Sequence, residues 1–176
     1  MDYSTSGLEN PLTHLLLGGF LYIYFRAETT TPRSLFLLAL IGGLGVLNRL
    51  DTFLLFAPVI LHGLLALRSL KGIAIVLLGF LPMMMWEIFS LIYYGFLIPN
   101  TAYAKLEVGI SRIELIKQGT YYFWNSLCWD PLTLVAIATS ITVCLAMKNK
   151  RQRYAALGVA FYLLYVLLIG GDFMSG

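Results

Sequence analysis

Apolar residues in this chain come in six separate runs, and short polar or basic connectors interrupt them. Within hydrocarbon, every backbone N–H and C=O must be satisfied inside the protein, which leaves helices or closed barrels. The runs with their connectors read as membrane-crossing segments, so the expected fold is all-α: a polytopic transmembrane helical bundle. The runs are Pro11–Phe25, Ser34–Leu47, Thr52–Leu67, Gly72–Ile98, Pro131–Met147 and Tyr154–Ile169. The first is shorter than the ~20 residues needed to span, and Leu8, Tyr22, Tyr24 and Phe25 extend it. The fourth is long enough to cross with tilt.

Charge placement decides how the second and third runs are read. They form either one long helix with Arg49 and Asp51 buried mid-membrane, or two short helices meeting at a polar turn near one surface. Cytoplasmic connectors carry excess Lys and Arg. If Lys148-Asn149-Lys150-Arg151-Gln152-Arg153 is cytoplasmic, six crossings put Arg26, Arg33, Arg68 and Lys71 on the same side. Eight of the twelve basic residues then lie inside, with one acid, Glu28. Glu9, Asp51, Glu107, Glu114, Asp130 and Asp172 fall outside. A five-crossing arrangement breaks this separation, so two short helices are expected.

Six crossings gather four polar motifs on the outer face: Ser6-Gly7-Leu8-Glu9-Asn10, Asn48-Arg49-Leu50-Asp51, Pro99 to Lys105, and Gly171-Asp172. At the third of these, Tyr93 and Tyr94 mark an interface, because a ring with a hydroxyl suits the headgroup layer. Pro99 is expected to end the helix, holding Asn100, Thr101 and Lys105 just outside the hydrocarbon. Beyond them Ser111-Arg112-Ile113-Glu114 fits a capping box, with Ile110 and Leu115 placed as a hydrophobic staple. The pattern predicts a short interfacial helix, apolar side down, that Gly119 ends.

Several features read as structure. Gly42-Gly43-Leu44-Gly45 lacks the Lys-Ser/Thr of a phosphate loop and suits close helix packing. His14 and His62 stand alone and read as packing or hydrogen-bonding residues. Cys128 and Cys144 lack metal-ligand spacing. Met1 to Asn10 shows neither the basic nor the apolar region of a cleavable signal peptide.

Ionisable groups in or beside a membrane are costly, which makes Glu9, Arg49, Asp51, Glu87, Lys105 and Asp172 the functional candidates. The planar fork of Arg49 matches phosphate oxygens, and Asp51 can orient it or a substrate hydroxyl. Arg49 and Asp51 can equally pair with each other at the surface. Glu9 or Asp172 can serve as general base for a hydroxyl nucleophile.

Taken in order, Gly7-Leu8-Glu9, Arg49-Leu50-Asp51, Tyr93-Tyr94-Gly95, Pro99-Asn100-Thr101-Ala102-Tyr103-Ala104-Lys105 and Gly170-Gly171-Asp172-Phe173-Met174 resemble the polytopic glycosyltransferases of the GT-C class. They look most like bacterial cell-envelope arabinofuranosyltransferases and their uncharacterised relatives. The resemblance runs from Gly7 to Gly176. It implies a single transmembrane domain over residues 1–176, part of a longer enzyme of the bacterial plasma membrane. It further implies a polyprenyl-phosphate sugar donor, a glycan or lipid acceptor, and transfer on the extracytoplasmic face. Such enzymes carry a catalytic acid in an outer loop that would precede Met1.

On that reading Glu9, Asp51 and Asp172 are the catalytic carboxylates. Arg49 and Lys105 hold the donor phosphate, and Tyr93, Tyr94, Asn100 and Tyr103 shape the donor groove. No ligand cluster claims a metal, although the chemistry leaves room for a divalent cation. Nothing points to nucleic acid. The alternative is a transporter or assembly subunit without catalysis; a transporter needs broken helices and polar groups near the midplane.

Overall fold

The computed structural model describes residues 10–27, 29–95 and 111–171. Every regular element among the described residues is helical. The chain divides at Gly95 into two compact units.

The first unit holds α1 (Asn10–Arg26), α2 (Pro32–Asn48), a 3₁₀ turn (Leu50–Thr52), α3 (Phe53–Leu67), α4 (Leu70–Gly79) and α5 (Leu81–Tyr94). The start of α2 is set locally. Thr31 and Ser34 form a reciprocal capping box, and Pro32 occupies the first turn, where its missing N–H costs nothing. At Arg49 the backbone turns extended, and α3 then runs back along α2. The second and third apolar runs are therefore two helices joined by a polar turn. Arg68 closes α3 in the left-handed conformation (φ 46°), and the Ser69 hydroxyl caps α4 by accepting from Lys71 N–H.

Helix α2 is the hub: α1, α3, α4 and α5 all pack against it. Its buried face is Leu35, Leu38, Ala39, Gly42, Gly43, Gly45 and Val46. Surrounding lipid is as apolar as leucine, so close packing rather than water exclusion holds such helices together, and small residues permit it. A Cβ on Gly42 would stand 3.1 Å from Ile60, and one on Gly45 would enter the Phe56 ring. Phe56 in turn meets Phe20 of α1 with ring centroids 4.6 Å apart. The glycine cluster thus packs helices, as its sequence indicated.

The fourth apolar run departs from expectation. It is bent by 58° between α4 and α5. The break lies against α2: a Cβ on Gly79 would stand 2.5 Å from that of Ala39, and one on Gly43 would stand 3.4 Å from Phe80 Cα. Pro82, in the first turn of α5, cannot extend the hydrogen-bond ladder back through this point. Helix α5 stops at Tyr94, and Gly95 adopts φ 77° with its N–H on the Leu91 carbonyl. Glycine is the residue suited to that left-handed cap.

The second unit holds α6 (Arg112–Trp129), α7 (Pro131–Ala146) and α8 (Lys150–Leu168). Ser111 caps α6 as expected, its hydroxyl accepting from Glu114 N–H at 3.3 Å. Gly119, however, does not end the helix. It is buried mid-helix, where a Cβ would stand 2.9 Å from the carbonyl carbon of Leu167. The short interfacial helix is therefore an 18-residue helix, because this glycine serves a close crossing with α8. A 113° bend at Asp130 separates α6 from α7.

By length and composition, Leu50–Leu67 can cross a membrane, and up to three crossings result if each bent pair counts as one. Six crossings are not established by these helices.

Candidate functional site

One end of the first unit concentrates polar side chains: α1 begins there, α2 ends there, and the 3₁₀ turn leads into α3. The Arg49 guanidinium donates from Nε to Asp51 Oδ1 (3.2 Å) and from Nη2 to Asp51 Oδ2 (2.9 Å), a two-point fork. Its third corner, Nη1, donates to Asn10 Oδ1 on α1 (3.3 Å). One residue earlier, Asn48 Nδ2 donates to the Thr13 hydroxyl (2.8 Å). Two side-chain hydrogen bonds therefore tie the end of α2 to the first turn of α1.

Below the fork, Thr52 is 1% exposed. Its hydroxyl and its backbone N–H both donate to the Arg49 carbonyl, at 2.7 and 3.1 Å. This fixes the backbone of Arg49 in the tight turn. Charge-assisted, two-point hydrogen bonds are roughly twice as strong as neutral ones, and here they hold a cation at the end of apolar helices. The pair stays reachable: the Arg49 side chain is 30% exposed and that of Asp51 14%. The plane of the guanidinium is thus fixed by Asp51 on one side and Asn10 on the other.

Of the expected site residues, the structure brings Arg49 and Asp51 together. Tyr93 and Tyr94 sit exposed at the end of α5, their rings 4.8 Å apart, and Tyr93 stacks on Phe89 at 5.4 Å. Trp86 continues the series, 5.6 Å from Phe89. Glu9, Asn100, Tyr103, Lys105 and Asp172 lie outside the described residues, as do the Pro99 exit and Ile110 of the staple. Glu87 is half-buried on the face of α5 that also carries Met83 and Ser90. Among the described residues no group of three His, Cys, Asp or Glu side chains could hold a metal ion.

Sequence reasoning placed Asn10 and Asn48 in outer-face polar motifs without giving them a role, and it passed over Thr13 and Thr52. A signal was present: amide and hydroxyl groups in apolar helices cost free energy unless they find partners, and all four lie next to breaks in the runs.

The opposite end of this unit carries Arg26, Arg33, Arg68 and Lys71, all exposed. There Tyr24 and His62 share a hydrogen bond of 3.0 Å between the hydroxyl and Nδ1. His62 thus serves as a hydrogen-bonding residue. In the second unit, Gly170 (φ 91°) and Gly171 (φ 73°) fold against Leu115 and Tyr122 of α6. Gly171 has the Tyr122 ring where a Cβ would be, 2.5 Å from its Cγ.

The chain is similar to a terminal β-(1→2)-arabinofuranosyltransferase of Mycobacterium tuberculosis (strain ATCC 25618 / H37Rv), at 29% identity over an alignment 214 positions long. The alignment covers 99% of this chain and 32% of that protein, so the chain spans about a third of the length of the relative. No protein-family model and no solved structure matches it.

Proposed function

We propose, with that likeness as premise, that the chain belongs to the membrane-embedded machinery of a glycosyltransferase using a polyprenyl-phosphate sugar. The sugar is transferred to a cell-envelope glycan or lipid on the extracytoplasmic face of the bacterial plasma membrane. The carrying observation is the Arg49–Asp51 fork, held between α1 and α2 at the polar end of the first unit.

In such a transfer an acceptor hydroxyl attacks the sugar C1 and the C1–O bond to phosphate breaks. The hydroxyl proton passes to a carboxylate base, and negative charge collects on the departing phosphate. A fixed guanidinium stabilises that charge as it develops. Arg49 fills this role, with Lys105 as second cation, while Tyr93, Tyr94, Asn100 and Tyr103 shape the groove of the lipid-linked donor. With both Asp51 oxygens turned to Arg49, Asp51 is the orienting residue and base function falls to Glu9 or Asp172.

The test is transfer from radiolabelled polyprenyl-phosphate sugars by membranes carrying the protein. Arg49→Ala should lower transfer by about 10²–10³-fold, the usual effect of losing one charge-stabilising donor, and Asp51→Asn should lower it less. Unchanged transfer in Arg49→Ala removes Arg49 from the mechanism. A transporter or assembly subunit is the second reading, favoured by the bends of 58° and 113° and by half-buried Glu87. It requires that labelled lipid cross the bilayer, or that a partner's activity depend on the chain, with no new glycosidic bond formed.

A further inference from the structure

The basic end of the first unit lies opposite the Arg49 site, and the proposed transfer assigns it no role. Four cations meet there, on the connections between α1 and α2 and between α3 and α4. The two connections are neighbours. A Cβ on Gly63 of α3 would stand 2.8 Å from Leu35 and 3.6 Å from Thr30, which precedes α2. A Cβ on Gly72 of α4 would stand 3.9 Å from the same Leu35.

Arg26 ends α1 and Arg68 follows α3, at helix C-termini where a positive charge offsets unpaired carbonyls. Arg26 is also occupied locally, lying over the Tyr22 ring at 5.5 Å and donating to its hydroxyl. Arg33 and Lys71 are placed differently. Each is the second residue of a helix, α2 and α4, where a cation opposes the helix dipole. Neither helix has an acidic residue in its first turn, and among the described residues no carboxylate is paired with Arg33, Arg68 or Lys71. Glu28 lies outside the described residues. Four cations against one acid, Glu28, leave a net positive charge at this end, and a bound anion offsets it.

Exposed apolar side chains flank these charges: Phe25 at 49%, Leu65 at 55%, Leu70 at 85% and Ile73 at 51% relative exposure. A ligand that suits both features is anionic at one end and hydrocarbon at the other. We infer that the end of the first unit carrying Arg33, Arg68 and Lys71 binds the phosphodiester headgroup of an anionic membrane phospholipid, with its acyl chains along Leu65, Leu70 and Ile73. Juxtamembrane basic clusters gain from such lipids in the same way.

The test places the full chain in phosphatidylcholine vesicles and compares spin-labelled phosphatidylglycerol with spin-labelled phosphatidylcholine at the protein boundary. The wild-type chain should prefer phosphatidylglycerol by about three- to tenfold at low salt, the preference shrinking in 0.5 M sodium chloride, where the Debye length is about 4 Å. The variant Arg33→Gln/Arg68→Gln/Lys71→Gln should bring the ratio to parity. The variant Lys148→Gln/Lys150→Gln/Arg151→Gln, equal in charge lost but on the second unit, should keep it. Should the first variant fail to fold, the single reversal Lys71→Glu gives the same reading at smaller amplitude. No preference in wild type, a preference that survives both the triple and the Lys71→Glu changes, or equal loss in the control variant overturns the assignment. So does full displacement by millimolar inorganic phosphate, which would make the ligand a soluble anion. Transfer of sugar can fail while this lipid preference stands, because the two assays probe opposite ends of the unit.

Discussion

Gly18 and Gly119 are both interior helix glycines, and their surroundings are opposite. A Cβ on Gly18 or Gly19 meets nothing within 4 Å, whereas on Gly119 it collides with the backbone of Leu167. Alanine is the better helix former by about 1 kcal/mol, so Gly18→Ala should raise the melting temperature of the purified protein slightly. Gly119→Ala should lower it, since overpacking a close crossing costs about 1–3 kcal/mol and a backbone carbonyl cannot rotate aside. Equal shifts in one direction would refute the α6–α8 crossing. Thr52 makes a similar point through hydrogen bonding. Thr52→Val keeps the shape but removes the hydroxyl donor to the Arg49 carbonyl, at a cost of about 0.5–1.5 kcal/mol, and should loosen the Arg49 turn. Circular-dichroism melts of Thr52→Val beside Thr52→Ser, which retains the donor, would measure it.

Asp130, exposed at the junction of α6 and α7, accepts from the Thr133 hydroxyl at 2.6 Å and from Thr133 N–H at 3.2 Å. The hydroxyl bond first, then the amides of Thr133 and Leu132, holds its carboxyl below the usual 3.8. A depressed folded-state pKa stabilises the cap fully above the ordinary carboxylate range, and the contribution is lost as pH falls through the lowered value. Titration followed by carboxyl NMR should give a midpoint below 3.8 in the native chain, moving up in Thr133→Val. An unmoved midpoint would dismiss the hydroxyl as its cause.

At the scale of the element, the break between α4 and α5 is decided by what it touches. Composition alone made one span of that run. Leucine and isoleucine continue on both sides of Gly79-Phe80-Leu81-Pro82, and hydrophobicity does not register a bend. The bend appears because Gly79 and Phe80 lie on Ala39 and Gly43 of α2. A cysteine pair at Gly43 and Phe80 should therefore form a disulfide readily under mild oxidation, the would-be Cβ of one standing 3.4 Å from the Cα of the other. A straight α4–α5 helix lifted from α2 would leave the pair reduced. Gly119 misleads for the same reason in reverse: a glycine after an apparent capping box looks like a stop, and only a partner helix shows that it is a crossing point.

Across the whole of the first unit, the two ends differ in chemistry. Asn10, Asn48, Arg49 and Asp51 gather at one, and Arg26, Arg33, Arg68 and Lys71 at the other. With Cys128 and Cys144 replaced by serine, a cysteine at Asn48 and one at Ser69 should react with an impermeant maleimide from opposite sides of sealed vesicles. Reaction of both from one side would put the two ends in one compartment and overturn the proposal of an extracytoplasmic site.

The sequence by itself determined where helices begin and why they are apolar. Thr31, Ser69, Ser111 and Asp130 cap them through contacts within a few residues, and hydrogen bonds that short are written in local order. It also placed Arg49 and Asp51 two residues apart, close enough to pair. Tertiary structure alone decided that Asn10 and Thr13, more than thirty residues away in the chain, complete that polar end. It alone decided that Gly79 marks a bend while Gly119 marks a crossing. Those outcomes depend on which backbone arrives at the bare face of a glycine, and a single run of residues carries no record of its neighbour.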